Sequence, residues 1–307
     1  MLVSGDASCR DWEVTVVLTA DEALLLPTDE DVAFFKEHGW YRSKEVLPKP
    51  LIDAAIEASD RHFRGERDWR LPIEGGFSDW KPSDGDVVRN AQAVALQNAT
   101  LRELAWNPVL GAIAGRLTGS PEIRYFDDSV IYKPAELPGT ESVIGWHTDR
   151  AYWGTCTSDQ MLTAWIPFQD TPEEMGPVVY VDRSHRWPNV DRMRTFHAKD
   201  LAELEERFIV ARGEAVKVPM TLRKGEVSFH SCLTVHGSEA NRGSEPRIAM
   251  ALHLQDQANR FRRHLDDNGE PWHLFNDDLA RQLPDGAPDY SDPEVFPVIW
   301  STTGGQG

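Results

Sequence analysis

Cysteine is scarce in this sequence: the 307 residues include only Cys9, Cys156 and Cys232. An odd number of widely separated cysteines fits reduced thiols better than the paired disulfide framework of a small secreted domain. The N-terminus also lacks the basic segment and apolar run of a secretory signal, because four charged residues fall within its first 13 positions. We therefore expect reduced thiols and a cytoplasmic protein.

Long hydrophobic runs and positive charge are scarce as well. No stretch reaches the roughly 18 consecutive apolar residues of a membrane-spanning helix. The 32 Lys and Arg residues are outnumbered by 50 Asp and Glu residues, which gives a formal net charge of −18. This negative charge is spread along the chain and repels nucleic-acid phosphates and anionic lipids. We expect a small-molecule substrate and neither a nucleic-acid nor a membrane partner, and the composition leaves the oligomeric state open.

Capping patterns predict helices in the N-terminal half. Thr28 with Asp31, and Thr100 with Glu103, each place a hydroxyl three residues before an acidic side chain, which is the capping-box pattern. Residues 64–90 are rich in Gly, Asp, Pro and Arg and are predicted to form a long surface loop. The predicted helices run from Thr28 to Gly39, from about Pro50 to Phe63, from Thr100, and from Asn107 to Gly119.

The pattern changes to short β-type runs from about residue 122 onward, with a helical insertion at about Asp200 to Ile209. Short strands separated by turn residues favour a β-sandwich or closed barrel over βαβ units. A chain of this length often forms one such domain, so we expect a single domain with extensions over residues 1–27 and 257–307. The β-type runs are IRYFDDSVIYK, SVIGWHTD, MLTAWIPF, GPVVYV, GEVSFH, LTVHG and PRIAMALHL.

His147, Asp149 and His236 are the candidate metal ligands. Residues i and i+2 of an extended strand project from the same face, so His147 and Asp149 in GWHTD can bind one metal ion from one strand. Two imidazoles and one carboxylate match the facial set that holds iron(II) and leaves other positions open. His230 lies six residues before His236 and competes with it as the third ligand on proximity alone.

Arg247 lies eleven residues after His236, beyond the turn sequence NRGSEP. If this turn joins two antiparallel strands, it brings Arg247 back beside the metal ligands. An arginine in that place offers a rigid fork of donors for a dicarboxylate. Metal ligands together with a dicarboxylate-binding arginine predict an enzyme.

Over roughly residues 28–256 the sequence resembles the phytanoyl-CoA dioxygenase family of iron(II) and 2-oxoglutarate-dependent oxygenases. The motifs that carry the resemblance are TDEDVAFFKEHGW, GWHTD, MLTAWIPFQD, EMGPVVYVDRSHRW, KGEVSFHSCLTVHGSEANR and PRIAMALHL, in that order. The resemblance implies a mainly β fold, the double-stranded β-helix or cupin-like jelly roll, with flanking helices. It also implies iron(II) as the cofactor, with 2-oxoglutarate and O2 as co-substrates.

The resemblance also implies roles for individual residues. The three candidate ligands would hold the iron, and His236 is preferred over His230 because Gly-Ser follows it. Arg247 would bind the remote carboxylate of 2-oxoglutarate. Trp165 and Ser238 match family positions near the co-substrate.

Further residues are expected around the pocket. Lys133 lies 14 residues before His147 and is a candidate for contact with the co-substrate or with a substrate anion. Tyr152 and Trp153 follow the ligand pair and are candidates for the substrate mouth. The C-terminal residues from about 257 onward are expected to cover the pocket.

The expected reaction is hydroxylation of an unactivated C–H bond of a small molecule, in bacterial secondary metabolism. In related halogenases a small residue replaces the carboxylate ligand and makes room for chloride, whereas this chain has Asp149. Desaturation, cyclisation or epimerisation would use the same iron centre. The rivals from other classes are a cupin-type metal isomerase or zinc hydrolase, which needs no Arg247, and a non-catalytic jelly-roll binding protein.

Overall fold

The structure is a computed structural model, and it describes residues 18–73, 79–135, 142–209 and 215–302. Cys9 and most of the predicted N-terminal extension lie outside the described residues. The α-helices are α1 (Ala20–Ala23), α2 (Asp29–His38), α3 (Lys49–Phe63), α4 (Ala99–Ala105), α5 (Pro108–Thr118), α6 (Leu201–Leu204) and α7 (Phe275–Leu279). The strands are β1 (Trp40–Glu45), β2 (Arg89–Gln92), β3 (Glu122–Lys133), β4 (Ile144–His147), β5 (Leu162–Pro167), β6 (Val179–Val181), β7 (Lys217–Pro219), β8 (Glu226–Ser231), β9 (His236–Ser238), β10 (Arg247–Asp256) and β11 (Val298–Ser301).

Local caps fix most of the helix boundaries. The backbone N–H of Asp31 donates to the Thr28 hydroxyl at 3.2 Å, and the backbone N–H of Thr28 donates to the Asp31 carboxylate at 2.8 Å. Gly39 ends α2 in the left-handed conformation, with φ at 81°. Asn107 and Gly119 cap α5 in the same manner. The predictions of α2 and α5 are therefore confirmed, and α3 (Lys49–Phe63) matches the predicted bounds to within one residue.

The predicted helix start at Thr100 is wrong by two residues. Asn98 caps α4, because its side-chain oxygen accepts a hydrogen bond from the backbone of Leu101 at 3.0 Å. Asparagine is at least as good an N-cap as threonine, and the earlier cap places Thr100 inside the first turn. The acidic residue at Glu103 then has no role in the cap.

The strands form two antiparallel sheets. The large sheet has the order β1-β8-β5-β10-β3-β11, with β2 also paired to β3, and the small sheet has the order β4-β9-β6-β7. This is the mainly β jelly-roll architecture that the family resemblance implies, with helices at its flanks, and it agrees with the sandwich or barrel that the strand pattern predicts. Strand β2 is a correction, because Arg89 and Asn90 were assigned to a surface loop and instead pair with Tyr132 and Ile131 of β3.

The helical insertion between β6 and β7 is confirmed in part. Asp200 caps the short helix α6, and residues Glu205–Ile209 continue it with π-helical hydrogen bonding.

Among the described residues, no helix combines the length and the apolar character that a membrane crossing requires. Cys156 and Cys232 are buried free thiols, and burial raises the pKa of Cys156 to about 12.

Alternation along the strands of the large sheet separates the core from a cavity. Val130, Ile166 and Met250 belong to the main apolar core, together with buried side chains of α3, α4 and α5. Their strand neighbours Ser129 and Trp165 face the opposite side of the sheet and line the cavity. One face of the large sheet therefore packs against the apolar core, and the other face presents functional groups to the cavity.

The close approach of α5 to β11 yields a test of the packing. A Cβ atom placed at Gly115 would lie within 2.8 Å of three atoms of the Trp300 ring. Gly115→Leu should therefore lower the free energy of unfolding by about 2–3 kcal/mol, because overpacking outweighs the better helix propensity of leucine. Chemical denaturation measures the change. Combining the substitution with Trp300→Ala should recover part of the loss, and unchanged stability in the single variant would contradict this packing.

Candidate metal centre and its cavity

The small sheet brings the two candidate histidine ligands together. His147 ends β4, His236 begins β9, and the two residues are directly paired in the register of these strands. Their rings lie 4.1 Å apart between centroids. Sequence spacing alone does not reveal this pairing, because 89 residues separate the two histidines.

Asp149 does not lie on the strand, which corrects the expectation that one strand carries both GWHTD ligands. Strand β4 ends at His147, and Asp149 is the first residue of a short 3-10 turn that ends at Ala151. The Thr148 hydroxyl, between the two residues, donates to the carbonyl of Val190 at 2.6 Å. The backbone of Thr148 is still extended, with φ −122° and ψ 145°, so Asp149 stays on the same side as His147.

The three candidate ligands form one buried cluster. One ligand atom from each of His147, Asp149 and His236 lies within 4.8 Å of the other two. Asp149 Oδ1 is 3.5 Å from His236 Nε2 and 4.0 Å from His147 Nε2. These separations leave room for one ion between the three atoms.

Hydrogen bonds to the backbone fix the orientation of both imidazoles. His147 Nδ1 donates to the carbonyl of Gly145 at 2.8 Å, and His236 Nδ1 donates to the carbonyl of Thr234 at 2.9 Å. This arrangement leaves the lone pair of each Nε2 toward the cluster. Burial lowers the pKa of His147 to about 3 and that of His236 to about 4. Both rings are therefore neutral at physiological pH, as metal ligation requires.

The carboxylate of Asp149 is divided between two tasks. Its Oδ2 accepts hydrogen bonds from the Thr163 hydroxyl at 2.5 Å and from His230 Nε2 at 3.1 Å. Its Oδ1 faces His147 and His236. Burial alone would raise the pKa of Asp149, but the neighbouring His236 and His230 hold it well below the usual value. Asp149 is thus ionised and presents a single oxygen to the cluster.

His230 occupies a supporting position. One ring nitrogen contacts Asp149 Oδ2, and the other lies 3.1 Å from the Tyr180 hydroxyl, which is itself 2.7 Å from the Ser228 hydroxyl. Both nitrogens of His230 are therefore engaged with protein groups. This geometry favours His236 as the third ligand, in agreement with the choice made from the sequence.

A cavity of about 350 Å³ opens at the cluster. Its walls come from both sheets and from the C-terminal segment around α7, which agrees with the expectation that this segment covers the pocket. Of the residues singled out in the sequence, those that line the cavity are His147, Asp149, Tyr152, Trp153, Trp165, His230, His236, Ser238 and Arg247.

Arg247 is a buried cation with free donors. Its Nη1 donates to the carbonyl of Gly176 at 2.9 Å, and its Nε is buried without a hydrogen-bond partner. Within the part of the chain that the structure describes, Arg247 forms no ion pair with an Asp or Glu. Its guanidinium lies 5.5 Å from the centre of the Trp165 ring. Burial lowers the pKa of Arg247 to about 10, so the group stays charged and is complementary to an anion.

Lys133 lies behind the cavity wall. Its amine donates to the Ser238 hydroxyl at 2.8 Å and to the carbonyl of Glu239, and its side chain is fully buried. Burial and the nearby Arg247 hold the pKa of Lys133 well below the usual value. Ser238 lines the cavity and Lys133 does not. The lysine can therefore influence a molecule in the cavity only through the serine hydroxyl.

The two aromatic residues after the GWHTD motif line the cavity at the cluster. The Tyr152 hydroxyl accepts a hydrogen bond from the backbone of Phe196 at 3.0 Å, and the Tyr152 ring lies edge-on to His147. The Trp153 ring lies edge-on to His253, with centroids 5.0 Å apart. Both side chains therefore have fixed orientations.

The sequence did not reveal Thr163, His253, Asp127 or the lining residues of the C-terminal segment. Thr163 carried one usable signal, since it stands two positions before Trp165 and shares its strand face. His253 Nδ1 lies 2.8 Å from the Thr163 hydroxyl, which continues the polar network away from Asp149. That contact depends on the pairing of β5 with β10 and has no local signature.

Comparison with known proteins gives a consistent result. A family model described as phytanoyl-CoA dioxygenase (PhyH) matches residues 53–249. A curated relative from Danio rerio, phytanoyl-CoA dioxygenase domain-containing protein 1, is 22% identical over 274 residues, which cover 76% of this chain and 91% of that protein.

Solved structures with the same fold include two enzymes of nogalamycin biosynthesis. The non-haem α-ketoglutarate-dependent carbocyclase SnoK is 25% identical, with 81% of this chain and 94% of that chain covered and a TM-score of 0.61. The epimerase SnoN in complex with Fe3+, α-ketoglutarate and nogalamycin RO is 25% identical, with coverages of 90% and 99% and a TM-score of 0.65. EctD from S. alaskensis with 2-oxoglutarate and 5-hydroxyectoine is 19% identical, with coverages of 85% and 86% and a TM-score of 0.61, and shares the fold.

The arrangement of the cluster predicts different effects for its histidines. His236→Ala should abolish tight iron(II) binding, because it removes a candidate ligand. His230→Ala should retain a single iron(II) site and lower its affinity by about 10- to 100-fold, because it removes only a hydrogen bond that orients the Asp149 carboxylate. Anaerobic calorimetric titration with iron(II) measures both effects. His273→Ala is the matched control, since His273 lines the cavity outside the cluster and its loss should leave the affinity unchanged. Tight binding by the His236 variant and none by the His230 variant would reverse the assignment.

Proposed function

The chain belongs to the phytanoyl-CoA dioxygenase family and is an iron(II) and 2-oxoglutarate-dependent enzyme, and on this premise we propose that it hydroxylates an unactivated C–H bond of a small molecule. The observation that carries the proposal is the buried cluster of His147, Asp149 and His236 in one cavity with Arg247, a cation that has no ion-pair partner among the described residues. A metal isomerase or a hydrolase would have no use for such an arginine. A binding protein would have no need of the complete ligand set.

The proposed iron ligands are Nε2 of His147, Nε2 of His236 and Oδ1 of Asp149. The residues fit the metal on two grounds: both imidazoles are neutral and fixed in orientation, and the carboxylate is ionised with its second oxygen already bound. The donor set of two nitrogens and one oxygen suits iron(II). Three protein ligands leave other positions for the co-substrates.

Arg247 is the proposed partner of the remote carboxylate of 2-oxoglutarate. Its buried donors can form a bidentate pair that replaces the lost solvation of the guanidinium. Trp165 packs beside this arginine and restricts its movement. The Ser238 hydroxyl, which Lys133 supports from behind, offers a second polar contact on the same side of the cavity.

Bound iron(II) with 2-oxoglutarate and O2 supplies the oxidising chemistry, in which R–H, O2 and 2-oxoglutarate become R–OH, succinate and CO2. The chain itself holds the reactants and limits water. Apolar side chains make up much of the cavity wall, among them Phe126, Tyr152, Trp153 and Trp272. They orient an organic substrate and keep bulk water from the reacting centre.

The presence of Asp149 favours hydroxylation over halogenation, because the carboxylate occupies the position that chloride would need. Cyclisation and epimerisation form the second candidate, and the 25% identity to the carbocyclase SnoK and the epimerase SnoN supports it. These enzymes belong to nogalamycin biosynthesis by their names, so we also propose a role in tailoring a bacterial natural product. Product mass separates the outcomes: a hydroxylated product gains one oxygen atom, a cyclised one loses two hydrogens, and an epimer keeps its mass.

Loss of the proposed iron ligand His147 should abolish co-substrate turnover. The wild-type protein with iron(II), ascorbate, 2-oxoglutarate and a candidate substrate should release succinate, and His147→Ala should release none above background. Succinate is quantified by chromatography. Equal release by the variant and an active wild type would remove the triad from the reaction.

Arg247→Met should raise the KM for 2-oxoglutarate at least about tenfold. Methionine has a similar length, but it lacks the charge and the hydrogen-bond donors of arginine. The kcat at saturating 2-oxoglutarate should change much less. Initial rates at varied 2-oxoglutarate separate the two effects. Arg242→Met is the matched control, because Arg242 is exposed and outside the cavity. An unchanged KM in the Arg247 variant would exclude the proposed contact.

A further inference from the structure

The cavity has a second polar region, away from Arg247 and the iron ligands. It is formed by Gln92 of β2, Asp127 of β3 and Asn276 of α7, all of which line the cavity. We call these three residues the acceptor cluster. None of these residues has a role in the proposed binding of iron or 2-oxoglutarate.

The register of the large sheet fixes the place of the acceptor cluster relative to the metal centre. His230, Thr163, His253 and Asp127 are successive cross-strand partners on β8, β5, β10 and β3. Thr163 and His230 contact Asp149 directly. Asp127 lies two strands beyond Thr163, which is roughly 10 Å at about 4.8 Å per strand. A small molecule can span this distance.

Two oxygen atoms of the acceptor cluster are buried without a hydrogen-bond partner among the described residues: Oδ1 of Asp127 and Oδ1 of Asn276. The other polar side-chain atoms of these two residues are fixed. Gln92 Nε2 donates to Asp127 Oδ2 at 2.7 Å, and Asn276 Nδ2 donates to the carbonyl of Phe126 at 2.6 Å. Both side chains are thereby oriented, and each leaves one acceptor free. Buried acceptors without donors cost free energy, so the cluster is complementary to a donor.

The charge of Asp127 is also uncompensated. Within the described ranges it forms no ion pair, and its neighbour Asp128 is fully occupied by the backbone of Val94 and Ala95 and by the Tyr125 hydroxyl. Burial and the carboxylate of Asp128 raise the pKa of Asp127 to about 7. A cation at this place would therefore stabilise the carboxylate.

We propose that Asp127 and Asn276 form a recognition subsite for a protonated amine of the substrate. An ammonium group can donate to both free acceptors, and its charge complements Asp127. The subsite deepens the proposed function, on which it rests for the reaction itself. It would hold the amine roughly 10 Å from Thr163, so the attacked C–H bond would lie several bonds away from the nitrogen.

A matched pair of probes tests the subsite without knowledge of the natural substrate. 3-Phenylpropylamine and 3-phenylpropan-1-ol have nearly the same shape and differ in the terminal group. The wild-type protein should bind the amine at least about tenfold more tightly than the alcohol, since hydrogen bonds to a charged group are stronger than neutral ones. Calorimetric titration measures both dissociation constants. Equal affinities, or tighter binding of the alcohol, would overturn the proposal.

Variants test whether the subsite residues cause the preference for the amine over the alcohol. Asp127→Asn keeps the shape of the side chain and should bring the amine affinity down to that of the alcohol. Asp191→Asn is the control, because Asp191 is exposed and outside the cavity, and it should keep the preference. An Asp127→Asn variant that folds and retains the preference would overturn the assignment. If that variant does not fold, Asn276→Leu takes its place: reduced amine affinity supports the subsite and unchanged affinity overturns it.

The test is independent of the metal centre. The titrations are done both without metal and with anaerobic iron(II) and 2-oxoglutarate, and the amine preference should persist in both forms. Failure of iron(II) binding or of succinate formation removes the proposed function and leaves the amine preference unchanged. Loss of the preference in a protein that turns over 2-oxoglutarate removes only the subsite.

Discussion

The rest of the site depends on the way the two oxygens of the Asp149 carboxylate face different partners. Its Oδ2 is bound by Thr163 and His230 of the large sheet, and its Oδ1 faces His147 and His236 of the small sheet. One side chain thus links the two layers of the jelly roll at the metal centre. Because Oδ2 is already occupied, Asp149 would offer a bound iron only one oxygen and would leave other ligand positions to the co-substrates.

The cavity is polarised around this centre. Arg247 begins β10 and supplies a cation, whereas Asp127 pairs with His253 six residues further along the same strand, roughly 20 Å away at the Cα atoms. The positive end suits the dicarboxylate co-substrate and the negative end suits an amine. On the proposed function and the proposed subsite, this separation would keep the co-substrate and the amine at opposite ends of the cavity.

Sequence patterns predicted those parts of the structure that depend on local chemistry. The caps of α2 and α5 follow from Thr28 and Asn107, whereas Thr100 failed because Asn98, two residues earlier, competes for the same backbone donors. The short strands predict a sandwich or closed barrel, and the family resemblance narrows this to the jelly roll. The triad and Arg247 were reached through ordered motifs, and the structure brings all four residues to one cavity.

The remaining features depend on long-range register, which local patterns do not encode. The role of His230 and Thr163 in holding Asp149 arises from the pairing of β8 with β5, and the acceptor cluster arises from β2 lying beside β3. Strand β2 reads RNAQ, a polar stretch that resembles a loop because its side chains serve a polar cavity wall. The C-terminal residue Asn276 joins the site only through the fold of the whole chain.

The most direct test of this account is a crystal structure of the anaerobic iron(II) complex, with the ion located by anomalous diffraction at the iron absorption edge. The account predicts one ion within about 2.3 Å of Nε2 of His147, Nε2 of His236 and a single oxygen of Asp149, with Oδ2 still bound by Thr163 and His230. An ion coordinated by His230, or by both oxygens of Asp149, would contradict it.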